Sequence, residues 1–246
     1  MADYDSNRII RGQAAEVGAI DAGLRAHMLR VYNYMLVGLL LTGATAWMTA
    51  STSLLGLFFQ INPNGTAGLT MLGWGALIAP FIMVLVLSFR IQRMSLGAAQ
   101  ALFWVYASVM GISLAPIFLI YTGATVAQTF FITAATFGAM SLWGYTTNRD
   151  LTGFGSFLFM GLIGLIIASL VSMFLQSTMM NWIISVAGVL IFTGLTAYDT
   201  QWIKESYSVS DDGSLAGRKA IFGALKLYLD FLNLFLMLLR LMGNRR

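Results

Sequence analysis

Leu158-Phe-Met-Gly-Leu-Ile-Gly-Leu-Ile-Ile-Ala-Ser-Leu170 carries no charge from end to end and no alternation of polar with apolar residues. A helix at the surface of a water-soluble domain keeps one polar face, and a strand of a membrane barrel alternates between lumen and lipid. This run does neither, and Met35-Leu-Val-Gly-Leu-Leu-Leu41 repeats the pattern. Both belong to helices with apolar surroundings on every side. The whole chain agrees: 58% of its 246 residues are hydrophobic and 10% are charged, with a mean hydropathy of +0.78, well outside the range of soluble domains.

A bilayer core of roughly 30 Å needs about 20 apolar residues per helix. Stretches of that length run approximately over 31–50, 69–89, 95–121, 126–145, 153–174, 181–203 and 220–242. The fold class expected is therefore an all-α polytopic membrane protein with seven transmembrane helices. Residues 1–30 form an N-terminal segment, 31–242 the seven-helix transmembrane domain and 243–246 a C-terminal tail. No cleavable leader is expected, because the first thirty residues carry Arg8, Arg11, Arg25 and Arg30 without an apolar core or a small-residue cleavage site.

Lys and Arg accumulate in cytoplasmic loops. Here the four tail arginines, Arg90 with Arg93, Arg149, and Lys204 with Arg218 and Lys219 all fall on the N-terminal side, and the opposite loops carry none. The N-terminus is expected in the cytoplasm. Arg240, Arg245 and Arg246 then face outward against the rule, unless one segment is re-entrant. Spread over helix ends, these cations account for the pI near 9.5 through topology and lipid contact rather than a nucleic-acid surface.

With no cysteine, thiolate metal sites and disulfides are excluded, and the lone His27 is expected to be solvated. No phosphate-binding loop, zinc-binding His pair or nucleophile elbow is present. Asp211-Asp-Gly213 and Asn64-Gly-Thr66 are read as turns. Small residues at four-residue spacing, namely Gly164, Ala168 and Ser172 on the fifth helix and Ala134 with Gly138 on the fourth, are expected to pack helices closely. Pro80 and Pro116 interrupt the second and third helices.

From Ala22 to Arg149 there is no carboxylate, and only Asp199 and Asp230 lie within membrane-length apolar segments. An Asp at mid-helix costs roughly 2.5 to 3.5 kcal/mol to insert, so such residues face a protein interior or a water-filled path. Asp199 lies in Gly194-Leu-Thr-Ala-Tyr-Asp-Thr-Gln201, with Thr196 one turn before it. Asp230 lies in Lys226-Leu-Tyr-Leu-Asp-Phe-Leu-Asn233, where Lys226, Asp230 and Asn233 form one polar stripe. Both acids fall near the N-terminal side of the membrane, but their depths agree only if the sixth helix extends beyond Ile203 or the seventh starts in the headgroup layer. Meeting there, the two carboxyls would share a proton and titrate as one unit.

At these residues the chain resembles the Bax inhibitor-1 (transmembrane BAX inhibitor motif) family, in a bacterial version. Gly194 to Gln201 is similar to the family's sixth-helix motif, Leu227 to Phe235 to its seventh, and Met110-Gly-Ile-Ser-Leu-Ala-Pro-Ile-Phe-Leu-Ile-Tyr121 to its third-helix signature. The resemblance covers about residues 25 to 242. It implies a bundle around a central seventh helix in the bacterial inner membrane. It also implies a pH-sensitive calcium leak with Asp199 and Asp230 as sensor, and a basic residue of the second helix, Arg90, latching onto the pair.

On that reading there is no cofactor and no catalysis. Ca²⁺ is the permeant ion, held transiently by Asp199 and Asp230 with help from Thr196 and Asn233; the partners are lipid, Ca²⁺ and protons. The alternative is a regulatory membrane protein that modulates a membrane-bound protease without transport. Intramembrane aspartyl proteases share Tyr198-Asp199, but Tyr228-Leu229-Asp230 lacks their Gly-x-Gly, and prolines at 63, 80 and 116 leave no C-terminal Pro-Ala-Leu.

Overall fold

The computed structural model describes residues 2–61, 67–175 and 177–243, with side chains of 22–60, 68–175 and 177–243. Asn64-Gly-Thr66, Arg245 and Arg246, and the side chains of Arg8 and Arg11, lie outside these. The helices are α1 (Ala2–Ser51), α2 (Leu55–Phe58), α3 (Met71–Arg90), α4 (Leu96–Leu114), α5 (Ile117–Ile120), α6 (Gly123–Thr146), α7 (Thr152–Leu175), α8 (Thr178–Glu205) and α9 (Gly213–Met242). Strands β1 (Phe59–Ile61) and β2 (Ala67–Leu69) pair antiparallel between α2 and α3, Gln60 opposite Gly68, a hairpin with no forerunner in the expected helices. Seven helices are long and apolar enough to cross a membrane, α4 and α5 together making one of them.

α9 is the hub. Two thirds of its most apolar stretch is buried, 67%, against 17–33% for the other six spans. Residues such as Leu40, Phe81, Phe157 and Phe174 on the outer helices are exposed, as a surface solvated by lipid requires. α9 is held in register by a buried polar knot. The Thr42 hydroxyl of α1 lies 2.7 Å from the Tyr228 hydroxyl, with the carbonyls of Gly38 and Ala107 also within hydrogen-bond distance. The Tyr228 ring packs edge-on against Phe103 and Tyr106 of α4. α9 runs unbroken to Met242.

The helix interior prolines are accommodated differently. Pro80 stays within α3 and leaves the Ala76 carbonyl, four residues back, without its intrahelical donor. Ser113 of α4 donates to that carbonyl at 2.5 Å, which ties α3 to α4. Replacing Ser113 with Ala strands a polar oxygen in the membrane, and we expect a loss of about 1–2 kcal/mol of stability, read as earlier thermal unfolding in detergent. Pro116 ends α4 instead: Ala115 N–H turns back to Ile112 O at 3.2 Å, and α5 restarts after it.

Close helix approach uses other glycines than those expected. A Cβ at Gly138 or Gly164 meets nothing, so neither position is a packing contact, whereas one at Gly111 would strike the backbone of α1 and one at Gly144 the backbone of α8 at Ala197. Four-residue spacing marks a face but not what it faces. His27 also departs from expectation: it is 5% exposed, with its ring 5.7 Å from that of Tyr207. The loop 206–212 folds back over α1 at Gly23, whose lack of a side chain admits Tyr207. Asp211 pairs with Lys219 at 2.6 Å, and Asp212 caps α9 by accepting from Leu215 N–H, so Asp211-Asp-Gly213 is a helix start rather than a free turn.

Candidate functional site

Both helices that carry the acids extend further than apolar length alone suggests, α8 to Glu205 and α9 from Gly213. At the helical rise Asp199 lies about 9 Å from the end of α8 and Asp230 about 25 Å from the start of α9, so the two carboxylates reach one cavity because α9 begins well beyond the end of α8. The C-terminal end of α8 is pinned to the end of α6 and the α6–α7 connection: Gln201 donates to Arg149 O and accepts from Leu151 N–H, both at 2.8 Å, and Lys204 donates to Tyr145 O at 2.9 Å. Asp199 therefore sits on a fixed segment beside α9. Asp199 and Asp230 are both buried, and they line one cavity together.

Lys226 completes the cluster. Its ammonium reaches across to Asp199 at 2.5 Å, not to Asp230 on its own helix. A Lys one turn N-terminal to an Asp is the weaker intrahelical orientation, and the antiparallel neighbour offers a carboxylate nearer the helix end. The ammonium also lies 4.6 Å from the Trp202 ring centre and 5.7 Å from that of Tyr198, within cation–π range. One carboxylate oxygen of Asp230, Oδ2, is buried with no hydrogen-bond partner.

The other expected site residues divide. Asn233 donates to Leu229 O at 2.8 Å and lines the same cavity as the pair. Thr196 is fully buried, and its hydroxyl is committed to Phe192 O of its own helix. Arg90 ends α3 exposed and makes no ion pair with either acid among the described residues; the cation on the pair is Lys226. No group of three or more His, Cys, Asp or Glu side chains suited to a metal exists among the described residues, so Asp199 and Asp230 offer a cation two carboxyls and no closed cage. Trp202, Tyr198 and Arg240 were not anticipated. The first two were legible as an aromatic i, i+4 pair flanking Asp199.

A cavity of about 930 Å³ begins at Asp199, Lys226 and Asp230 and continues along α9 past Asn233 and Met237 to Arg240. At about 1.5 Å per residue, Lys226 to Arg240 spans roughly 21 Å. Its walls come from α7 and α8, with Phe81 of α3, and include Ser156 and Ser169. A second cavity of about 650 Å³ shares Ser169, Met173 and Arg240 with the first and adds Ser172, Asn181 and Ser185 at the far end of the bundle. The two form a polar-studded groove across most of the membrane's thickness.

Residues 24–246 match the family described as inhibitor of apoptosis-promoting Bax1. The chain belongs to the Bax inhibitor-1 family. Among its relatives, the inner membrane protein YbhL of Escherichia coli is 49% identical over 227 residues, 92% of this chain and 94% of that one. An uncharacterized protein of Rickettsia prowazekii is 49% identical over 229 residues, 92% of each chain. One of Caulobacter vibrioides is 45% identical over 248 residues, 98% of this chain and 99% of the other. The seven-helix bundle around α9 and the acid cluster near its middle are thus features of a Bax inhibitor-1 family protein integral to the membrane.

Proposed function

We propose that this protein is a non-catalytic, proton-controlled leak path for calcium, in which Asp199, Asp230 and Lys226 form the gate at the cytoplasmic end of the groove along α9. The observation that carries this reading is the placement of a buried carboxyl pair at one end of a cavity that reaches the other side of the bundle.

The charge balance supports it. On this reading the two buried carboxyls, which line one cavity, hold a proton between them, and the Lys226 ammonium neutralises the remaining charge, so the cluster is neutral when protonated. Loss of that proton leaves one uncompensated negative charge beside Asp230 Oδ2, which has no protein donor. A cation entering along the groove supplies what is missing, and Ca²⁺ favours such carboxylate and carbonyl oxygens. With only two acids the site binds weakly, which suits passage rather than storage.

The loop acids do not compete as the origin of a response near neutral pH. Hydrogen bonds from Thr152 hold Asp150 below the ordinary carboxylate range, and the Leu215 N–H does the same for Asp212. Their contributions are complete above about pH 4 and are lost only as the pH falls through those lowered values. The groove walls given by α3 and α7 carry no ionisable side chain, so Lys226, Tyr198, Arg240 and, at the far end, Tyr121 are the other titratable groups lining it.

Single cysteines test the path, and the absence of native cysteine leaves no background. Asn233→Cys and Met237→Cys in vesicles should react with a small membrane-impermeant cationic thiol reagent, while Leu234→Cys, fully buried and outside the groove lining, should not. Equal protection at all three positions would remove the groove as a water-filled route.

A further inference from the structure

α1 and α6 both pack on α9 and are held apart by it, leaving a cleft of about 650 Å³ open toward lipid. Phe137 of α6 and Phe231 of α9 line it, and its apolar walls run along α1 from Arg25 to Leu39, roughly 21 Å at the helical rise. That exceeds the roughly 15 Å of hydrocarbon in one leaflet. Its long apolar walls suit an acyl chain, and its single basic lining residue at one end suits a headgroup.

Charge is concentrated at one end. Arg25 lines the mouth and is exposed. Lys204 lies beside it through Tyr145, a lining residue, with its ammonium 5.3 Å from that ring's centre and bonded to its carbonyl. No acidic side chain lines the cleft among the described residues. Tyr145 and Lys204 lie at the ends of α6 and α8, and Arg25 lies on α1 at the same end of the cleft.

We infer that the α1–α6 cleft is a binding site for one anionic glycerophospholipid of the leaflet on the N-terminal side. Its headgroup phosphate pairs with Arg25 near Lys204, and one acyl chain lies along α1 over Phe231. The deeper wall is polar at a single point, where the Tyr32 hydroxyl lies 2.6 Å from Ser141 and Ser141 lies 2.9 Å from Thr200. Those hydroxyls are mutually satisfied and leave the acyl chain an apolar surface.

The site is tested in nanodiscs of equal phosphatidylglycerol and phosphatidylcholine, with native mass spectrometry of the released protein. The native chain should retain one phosphatidylglycerol. Arg25→Gln should lower the retained phosphatidylglycerol-to-phosphatidylcholine ratio about fivefold, the equivalent of one basic contact at about 1 kcal/mol. Gly138→Leu fills the cleft from a position where an added Cβ meets nothing and should cut retained lipid at least tenfold with helicity unchanged. If Gly138→Leu fails to fold, the Arg25→Gln ratio decides alone. Equal retention of both lipids by the native chain, an unchanged ratio in Arg25→Gln, retention undiminished in folded Gly138→Leu, or a dimer in place of a lipid adduct would each overturn the assignment.

Discussion

Lys226→Met should be the most damaging single change at the acid cluster. It removes the only cation on Asp199, which is 7% exposed, and leaves either an uncompensated carboxylate or two carboxyls that must both be protonated. Breaking a buried ion pair from one side costs about 3–5 kcal/mol. The Lys226 side chain keeps 27% of its surface, so water in the groove relieves part of that, and we expect a loss of about 3 kcal/mol. The loss should shrink at acid pH, where the carboxylates take up protons in place of the ammonium. Lys226→Met combined with Asp199→Asn removes both charges and should recover most of the stability. Thermal unfolding in detergent at neutral and acid pH checks this. A single variant as stable as the native chain at neutral pH would mean that the pair is solvated and is no gate.

The second large effect lies away from charge. Gly144→Leu should prevent assembly of α6 on α8, because a Cβ at this position runs into the Ala197 backbone, two residues before Asp199. Backbone cannot move aside as a flexible side chain can, and overpacking costs about 1–3 kcal/mol even where side chains yield. We expect more than 3 kcal/mol here, seen as loss of the monodisperse folded species on size exclusion. Gly164→Leu is the control: its Cβ meets nothing, it points into lipid, and it should leave the protein unchanged.

That contrast shows what the sequence carried. Apolar length located the seven spans closely, because insertion into hydrocarbon depends on composition along one segment. The isolation of Asp199 and Asp230 in apolar runs likewise marked the acid pair, since the cost of such residues is a property of each segment. What could not be read was the rotation of one helix against another. Gly138 and Gly164 have the spacing of packing residues but face open space, while Gly111, at the same spacing from Ala107 and Ala115, and Gly144, preceded by Met140 four residues back, carry the tight contacts.

The same limit governs the cluster. Lys226 and Asp230 share a stripe on α9, yet the ammonium bonds to Asp199 because α8 runs antiparallel alongside. Arg90 has the right charge on the right side of the membrane but ends its helix exposed. His27 looked solvated in an arginine-bearing stretch and is covered by a loop about 180 residues away in sequence, an approach that no local pattern encodes.

The most direct test of a proton-controlled gate is Ca²⁺ flux into dye-loaded proteoliposomes from acid to alkaline pH, for the native chain, Asp199→Asn and Asp230→Asn. The shared proton predicts a pH-dependent flux in the native protein whose midpoint moves or disappears in both variants. Flux that is absent, or that follows the same pH profile in all three, would contradict the carboxyl pair as the gate of a leak path.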